Sequence, residues 1–336
     1  MPFWWLAALA LFVSPVLTAA WIRRAQRLRL LDPPERRRLH LAATPRGGGI
    51  GPVASILLTC VLWPQPLAGF AGPITLGLLA VALVSWIDDH RPLSIRTRLL
   101  VHLMAAAILV AGFISLATWP ISIWAPAGLL LVVAVLASIN LHNFMDGSDA
   151  HLTSQIVFVF AALAILAGHH EGADLRLLWA FCAIAVAAFL PFNWPRARVF
   201  LGDVGSISFG FLVAAFTLVA LQRGWIGWGG ALILSSGFMI DAGATLLGRL
   251  RRTRHWLRPH RDHLYQWLRR RGWSAQRVVA AYQLWNLLVV VPALMMLEAR
   301  GQAALTEFVL TVAVYALGLG IWFAARGALR RAHRAQ

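Results

Sequence analysis

The sequence contains no lysine, only two cysteines and only 13 acidic residues among its 336 positions. All 30 basic residues are therefore arginine, and the formal net charge is +17. Charged residues make up 13% of the chain, whereas soluble domains carry about 25%. This scarcity of charge excludes an ordinary soluble domain.

Other absences narrow the architecture further. Cys60 and Cys182 both lie in apolar runs, where a packed thiol is the expected state, so no disulfide is predicted. The chain has no repeat of solenoid period and no low-complexity tract. We therefore expect one integral membrane domain over residues 1–336.

Apolar residues make up 60% of the chain, and the mean hydropathy is +0.71. About eleven apolar windows have the length of membrane-spanning helices, which predicts an all-α, polytopic membrane helix bundle. No arginine precedes the first window, so we expect a retained anchor rather than a cleaved signal. The windows are residues 3–21, 48–63, 67–87, 99–119, 121–141, 154–168, 175–192, 205–221, 225–248, 278–297 and 305–324.

The arginines are distributed unevenly between the two predicted sides of the membrane. If the windows alternate, one side receives 27 of the 30 arginines, and the other receives Arg176, Arg223 and Arg300. Arginine-rich loops stay in the cytoplasm, which predicts an outside N-terminus and a cytoplasmic C-terminus. Because topology accounts for the positive charge, no nucleic-acid partner is predicted.

Four polar stretches border apolar windows on the predicted cytoplasmic side, and the first is Asp88-Asp89. Adjacent carboxylates repel each other and need a cation or donors near hydrocarbon. They also oppose the dipole at a helix C-terminus, which favours a functional role over a solvated helix end.

The second stretch is Asn140-x-x-Asn143-x-x-Asp146-Gly-x-Asp149. In a helix, positions 143, 146 and 149 would form one polar stripe, and Gly147 would permit the backbone to break. An ordinary turn over Asp146–Asp149 is the alternative, although a turn would not need the two asparagines.

The third stretch is Phe200-Leu-Gly202-Asp203-Val-Gly205-Ser206. Its glycines allow close approach of a phosphate, and the following helix N-terminus supplies free N–H groups. Simple capping of that helix by Asp203 or Ser206 is the alternative.

Asp241 and a histidine pair complete the candidates. Asp241 lies eight residues before Arg249, about 12 Å inside its helix, which marks a functional group or a buried partner of an arginine. His260 and His263 flank Arg261; the absence of a third nearby ligand argues against zinc, and anion binding fits better.

A glycine-rich stretch, Thr44-Pro-Arg46-Gly-Gly-Gly-Ile-Gly51, imitates a phosphate loop. No strand is expected before it, so a dinucleotide site is not predicted. We expect the glycines to allow tight packing of a helix start, with His40 and Arg46 near the site.

Together, these carboxylates, glycines and cationic donors suit Mg²⁺ and phosphoryl transfer, because Mg²⁺ takes one or two carboxylates and completes its shell with water and phosphate. A nucleotide-activated soluble donor and a membrane-bound phosphate acceptor would both reach this face.

From about His40 to Gly272, the motifs in this order resemble those of the polyprenyl-phosphate N-acetylaminosugar-1-phosphate transferases, glycosyltransferase family four. The resemblance implies transfer of a sugar 1-phosphate from a UDP-N-acetylaminosugar to undecaprenyl phosphate in the bacterial inner membrane, with release of UMP. It also implies Mg²⁺, with Mn²⁺ as a substitute, and an active site that faces the cytoplasm. A homodimer is left open.

The resemblance also assigns roles by position. Asp203, with Asp89, resembles the metal ligands, and Asp88 is the preferred residue of its pair to deprotonate or position the lipid phosphate. Phe200 resembles the residue that stacks on uracil. Catalytic roles are implied for Asp88, Asp89, Asp203, His260 and His263, and substrate binding for Asn140, Asn143, Asp146, Asp149, Phe200, Asp241 and Arg261.

Some positions depart from the family pattern. Ala150-His151 replaces the usual Gly-Leu, and His102 replaces a common glutamine. The stretch from His260 to Gln266 resembles the branch that serves surface polysaccharides, with N-acetylglucosamine, N-acetylfucosamine or N-acetylquinovosamine as the sugar. We therefore favour O-antigen or capsule initiation over the phospho-N-acetylmuramoyl-pentapeptide transferase of peptidoglycan.

Two other classes compete with this interpretation. A membrane prenyltransferase would carry paired aspartate-rich motifs on two helices, which are not found here. A transporter or flippase would use Asp241 for ion coupling, but it should place polar groups near the midplane and show internal repeats.

Overall fold

The computed structural model describes residues 4–28, 31–32, 43–116, 121–170, 172–252, 260–301 and 303–334. Helices dominate these residues, and the strands among them are two residues long each. The chain forms two compact units, Met1–Trp225 and Ile226–Gln336. The expectation of one functional domain over residues 1–336 stays a prediction.

The first unit contains nine helices among its described residues. A short 3₁₀ helix, Gln65–Phe70, precedes the third of them. The helices are α1 (Trp4–Arg27), α2 (Ile50–Leu62), α3 (Ala71–His90), α4 (Ile95–Ser115), α5 (Ile121–Phe144), α6 (His151–His169), α7 (Ala173–Ala187), α8 (Leu190–Asn193) and α9 (Asp203–Gln222).

Helix α9 forms the centre of this unit and contacts α2, α3, α4, α5 and α6. Its apolar window is 83% buried, the largest share of any span among the described residues. Small residues permit this packing: a Cβ on Gly210 would lie 2.7 Å from the Cα of Ile139 in α5. The Ser138 hydroxyl also donates to the Gly210 carbonyl at 2.7 Å.

The described part of the second unit contains one broken span, a short connecting helix and two further spans. Helices α10 and α11 meet at Ser235 with a bend of 80°. A π-helical turn, Asn286–Val290, joins α13 to α14. The helices are α10 (Trp228–Leu234), α11 (Ser236–Leu250), α12 (Leu264–Arg270), α13 (Ala275–Trp285), α14 (Val291–Ala299) and α15 (Ala304–Arg334).

The prediction of an all-α, polytopic membrane protein is confirmed. Nine helices among the described residues are long and apolar enough to span a membrane, and the α10–α11 pair makes a tenth if counted as one span. The remaining predicted window corresponds to α2, which has only 13 residues. The orientation of the termini stays a prediction.

Two local expectations need correction. The ninth window is two helices with a sharp bend rather than one continuous helix. The glycine-rich stretch itself begins with a short strand: β2 (Thr44–Pro45) pairs antiparallel with β1 (Leu31–Asp32). This two-residue pairing is not the parallel strand–helix–strand unit of a dinucleotide site.

Candidate active site

The end of α3 carries Asp89, and its carboxylate caps the beginning of α9. Asp89 Oδ1 accepts from the Asp203 N–H at 3.2 Å, and Oδ2 accepts from the Val204 N–H at 3.1 Å. The side chain is 3% exposed. A helix N-terminus leaves its first N–H groups free, and a carboxylate there is favoured by the helix dipole.

This contact explains why an acidic residue is placed at the C-terminus of α3. Asp89 opposes the dipole of its own helix but complements that of α9. The N-cap residue of α9 is Gly202, which makes no side-chain hydrogen bond to the helix. Simple self-capping by Asp203 or Ser206 is therefore wrong; α9 receives its cap from another helix.

Asp203, the first residue of α9, faces Arg46. The Arg46 guanidinium bridges two carboxylates: Nη2 lies 2.7 Å from Asp203 Oδ1, and Nε lies 2.9 Å from Asp89 Oδ1. Burial opposes the charge of Arg46, but the carboxylates of Asp203 and Asp89 outweigh it and raise the pKa of the guanidinium. Arg46 thus lies beside two of the predicted site carboxylates, whereas His40 lies outside the described residues.

Asp88 points to a different set of partners. Its Oδ1 accepts from the Leu93 N–H at 2.7 Å, and its Oδ2 lies 2.7 Å from Arg98 Nη1. Arg98 also approaches Asp203 Oδ2 at 3.7 Å. Two arginines thus link the three carboxylates into one cluster.

Sequence reasoning missed Arg98. The available signal was its position ten residues after Asp88, in the first turn of α4, where an arginine can turn back toward the preceding helix end. Its contact with Asp203 had no local signal, because the two residues are far apart in the chain.

The glycine-rich stretch packs against the loop that precedes α9. The Phe200 N–H donates to the Pro45 carbonyl at 2.8 Å, and the Gly48 N–H donates to the Phe200 carbonyl at 2.9 Å. A Cβ on Gly49 would lie 2.5 Å from the Cα of Gly205. The predicted tight packing of this helix start is confirmed, and it fixes the backbone of Phe200.

The asparagine and aspartate stretch is helical only in its first half. Asn140 and Asn143 lie in α5, which ends at Phe144, while Asp146 and Asp149 lie in the turn that follows. The continuous helical stripe is therefore wrong. The break comes before Gly147.

Two members of this stretch contact the region around α9. Asn143 Oδ1 accepts from the Ser206 hydroxyl at 2.7 Å, and Asp149 Oδ2 accepts from the Ala197 N–H at 3.2 Å. Asn140 instead donates from its side chain to the Leu136 carbonyl in its own helix at 2.7 Å.

Asp146 belongs to the same electrostatic cluster. Burial and the nearby carboxylate of Asp203 raise the pKa of Asp146 well above its ordinary value, against the lowering effect of Arg46. The structure thus brings most of the predicted residues of the first unit together around the start of α9, whereas the Asn140 side chain bonds within its own helix.

The departure at Ala150 has a visible consequence. Ala150 precedes α6 with a φ of 57°, in the left-handed region that favours glycine. Its N–H donates to Asn193 Oδ1 at 2.7 Å, and Asn193 Nδ2 donates to the Val199 carbonyl at 3.1 Å. Buried Asn193 therefore ties the turn after α5 to the chain that leads to Phe200.

The histidine pair lies in the second unit, immediately before α12. The rings of His260 and His263 are 4.9 Å apart between centroids. Burial lowers the pKa of His260 to about 4, and His263 and Arg249 add to the effect. Burial also lowers the pKa of His263. Both rings are therefore neutral at neutral pH and offer one N–H donor each.

Asp262, between these histidines, anchors their loop. Asp262 Oδ2 lies 2.6 Å from Arg249 Nη1, and the Asp262 carbonyl accepts from Arg326 of α15. Arg270 donates to the carbonyl of Arg261. The predicted substrate-binding residue Arg261 is thus held by its backbone.

Asp241 is 2% exposed and accepts hydrogen bonds with both carboxylate oxygens. Among the described residues, its hydrogen-bond partners are neutral donors of the second unit, not the arginine that the alternative interpretation expected. They are the backbone N–H groups of Leu264 and Tyr265 and the side chains of Thr245, Tyr282 and Trp322.

The oxygen donors around Asp203 fit Mg²⁺, which usually takes one or two carboxylates together with water and phosphate oxygens. The Asp203 side chain is 15% exposed, and Arg98 links it to Asp88. Among the described residues, no group of three or more histidine, cysteine or acidic side chains is arranged to hold a metal. Water and phosphate oxygens would supply the remaining ligands of such an ion.

Comparisons with known proteins find similar sequences. Residues 72–221, which include the carboxylate cluster, match the model of glycosyl transferase family 4. A decaprenyl-phosphate N-acetylglucosaminephosphotransferase of Mycobacterium leprae (strain TN) is 29% identical over 304 residues, covering 78% of this chain and 75% of the relative.

Two further relatives carry a different name. A phospho-N-acetylmuramoyl-pentapeptide-transferase of Gluconacetobacter diazotrophicus is 26% identical over 336 residues, covering 88% of this chain and 91% of the relative. One of Geobacillus kaustophilus (strain HTA426) is 28% identical over 270 residues, covering 74% and 82%.

Proposed function

Because the chain belongs to the polyprenyl-phosphate sugar-1-phosphate transferase family, we propose that it transfers an N-acetylhexosamine 1-phosphate from a UDP-sugar to undecaprenyl phosphate. A phosphate oxygen of the lipid forms a new bond to the sugar-bearing phosphorus, and the bond from that phosphorus to UMP breaks. The products are UMP and a lipid-linked diphosphosugar.

The cluster of Asp88, Asp89 and Asp203 with Arg46 and Arg98 carries this proposal. Phosphoryl transfer depends mainly on positioning and charge neutralisation, which converging carboxylates and guanidinium groups can supply. Arginine offers a planar fork of donors that matches phosphate oxygens. A cluster of this kind at the end of membrane helices suits a diphosphate donor and a lipid phosphate acceptor.

We assign the metal to Asp203, with Asp89 beside it. Mg²⁺, with Mn²⁺ as a substitute, supplies charge neutralisation for the diphosphate when bound. Asp88, which α9 does not engage, is the base or positioning group for the acceptor phosphate, and Arg98 orients that phosphate from its contact with Asp88.

The remaining residues bind the donor. Phe200 presents its ring from a fixed backbone and stacks on uracil, while Asn143, Asp146 and Asp149 face the nucleoside. Asn140 supports the same helix end. In the second unit, neutral His260 and His263 donate to phosphate or sugar oxygens.

Three further observations support the proposed sugar, pathway and membrane orientation. The N-acetylglucosamine named for the Mycobacterium leprae relative supports an N-acetylhexosamine, and the sequence from His260 to Gln266 favours initiation of O-antigen or another surface polysaccharide. The arginine asymmetry supports a cytoplasm-facing site in the bacterial inner membrane.

The test is UMP release by detergent-purified protein supplied with undecaprenyl phosphate, Mg²⁺ and a panel of UDP-N-acetylhexosamines. The panel includes UDP-N-acetylmuramoyl-pentapeptide, because two relatives bear that transferase name. Release is expected to require lipid and metal and to fall at least about 100-fold in Asp203→Asn, the usual scale for losing a group that stabilises transition-state charge.

A matched control is Gly72→Ala, since a Cβ at Gly72 meets no atom within 4 Å. This variant should keep the wild-type rate. Folded protein that binds lipid but releases no UMP from any sugar would refute the proposal and direct attention to transport. Preference for the muramoyl donor would instead move the protein to peptidoglycan synthesis.

A further inference from the structure

Asp241 is buried among donors that come from three other helices of the second unit, α12, α13 and α15. Its Oδ1 accepts from the Leu264 N–H at 2.6 Å and from Trp322 Nε1 at 3.0 Å. Its Oδ2 accepts from the Tyr265 N–H at 3.2 Å and from the Tyr282 hydroxyl at 2.7 Å. Both oxygens are therefore engaged by the protein itself.

The two backbone donors are the first residues of α12, directly after His263. The position of these N–H groups determines where the histidine backbone lies, because His263 is the next residue toward the N-terminus. His263 is itself 2% exposed, and its N–H donates to Gln266 Oε1 at 3.3 Å. The histidine pair therefore depends on a carboxylate 22 residues earlier in the chain.

The last helix, α15, joins the same arrangement through two side chains. Trp322 donates to Asp241, and the guanidinium of Arg326 lies 5.0 Å from the Trp322 ring and 5.1 Å from the Trp267 ring of α12. Arg326 also donates to the Asp262 carbonyl. Helix α15 thus contacts the histidine loop on both sides of His263.

We propose that Asp241 is a positioning residue, which holds the start of α12 and thereby His260 and His263, with Tyr282 and Trp322 as its side-chain partners. This role replaces the substrate contact expected from the sequence. It rests on the proposed task of the two histidines in binding the donor.

The first test measures the accessibility of His263 to chemical modification and does not require enzyme turnover. Diethyl pyrocarbonate modifies accessible neutral histidine, and mass spectrometry gives the rate at His263 relative to exposed His169. Tyr282→Phe removes one hydrogen bond to Asp241 and keeps the ring, and Trp322→Phe removes one hydrogen bond and leaves a smaller aromatic ring. Each should raise the relative rate at His263 about fivefold, the factor that corresponds to about 1 kcal/mol for one hydrogen bond.

Two control variants remove equivalent groups elsewhere in the same unit. Tyr315→Phe removes a hydroxyl that donates to the Leu232 carbonyl at 3.0 Å, and Trp285→Phe removes an indole N–H that donates to Ser236 Oγ at 3.1 Å. Neither group contacts Asp241, so both controls should keep the wild-type rate. Equal rates in all four variants would overturn the proposal.

The second test asks whether the effect passes through the histidine. Tyr282→Phe should lower kcat/KM about fivefold in the wild-type background and have no further effect beside His263→Asn, because coupled residues are not additive. A full additional loss beside His263→Asn would show a merely structural role. If wild-type protein lacks transferase activity, the proposed function fails, and histidine modification still decides the position of α12.

Discussion

Asp88 and Asp89 are neighbours in sequence with different tasks in the structure. Asp89 accepts from the first N–H groups of α9, whereas Asp88 accepts from Arg98 and from Leu93. The sequence predicted that this pair needs donors or a cation. It could not predict the division between the two, because Asp203 lies 114 residues beyond Asp89.

The cap at α9 gives the first prediction. Asparagine keeps one acceptor oxygen and can still accept one of the two N–H bonds at the start of α9, while alanine can accept neither. Asp89→Ala should therefore lower the free energy of unfolding by about 1–2 kcal/mol more than Asp89→Asn does. Thermal unfolding of both variants in the same detergent measures the difference. An alanine variant as stable as the asparagine variant would show that the cap contributes little.

The close contact at Gly202 gives a second prediction. Gly202 has a φ of 77°, and a Cβ there would lie 2.7 Å from the Gly47 nitrogen and 2.8 Å from Asp89 Oδ2. Gly202→Ala should displace the loop that bears Asp203 and lower kcat/KM by about 100-fold or more, the loss expected from misplacing reacting groups by about 1 Å.

Gly72→Ala is again the control for this substitution, because it adds the same methyl group where space is open. UMP release and thermal unfolding are measured together. Wild-type activity in Gly202→Ala would contradict the tight contact between this loop and the glycine-rich stretch.

At the level of helices, apolar periodicity located the spans but not where they bend or stop. The window over residues 225–248 reads as one helix, yet Ser235 separates α10 from α11 with an 80° bend. The helix of Asn143 ends before Gly147, although glycine is the obvious local breaker. Tertiary hydrogen bonds near such ends, such as that from Ser206 to Asn143, lie outside any local sequence window.

The segment around α12 should be sensitive to acid. Its His260 has a pKa of about 4, below the ordinary value of 6.5. Between these values the unfolded chain binds a proton that the folded chain does not, so the stability contributed by neutral His260 is complete above pH 6.5 and is lost as the pH falls toward 4.

Thermal unfolding measured from pH 7.5 to 4.5 checks this prediction. His260→Gln should show a shallower loss of stability with falling pH than the wild type. His169→Gln, at the exposed end of α6, should keep the wild-type pH dependence. A wild-type slope in His260→Gln would contradict the contribution of this histidine.

For the whole molecule, composition was sufficient to predict an all-α membrane protein, and the order of the motifs was sufficient to predict its family. The site needed the structure: Arg46 was a suspected neighbour, Arg98 was not expected, and the donors around Asp241 come from α12, α13 and α15. Sequence reports which polar residues must be compensated. It does not identify the residues that compensate them, because helix packing brings these partners together from distant parts of the chain.

The arginine asymmetry predicts the topology, and single cysteines can test it. Arg91 and Arg223 are exposed residues predicted on opposite sides, and the native Cys60 and Cys182 are buried. In intact cells, a membrane-impermeant maleimide should label Arg223→Cys but not Arg91→Cys, which should react only after lysis. Labelling of Arg91→Cys in intact cells would invert the predicted orientation.

The cap between α3 and α9 also sets an order of biogenesis. When α3 leaves the ribosome, Arg98 follows within ten residues and can neutralise Asp88, but the N–H groups that receive Asp89 are synthesised only after α4, α5, α6, α7 and α8. Helix α9 packs against α2, α3, α4, α5 and α6, all of which are synthesised before it. Nascent chains that stop before residue 203 therefore hold Asp89 without its backbone partners, and the carboxylate cluster is among the last features of the first unit to be completed.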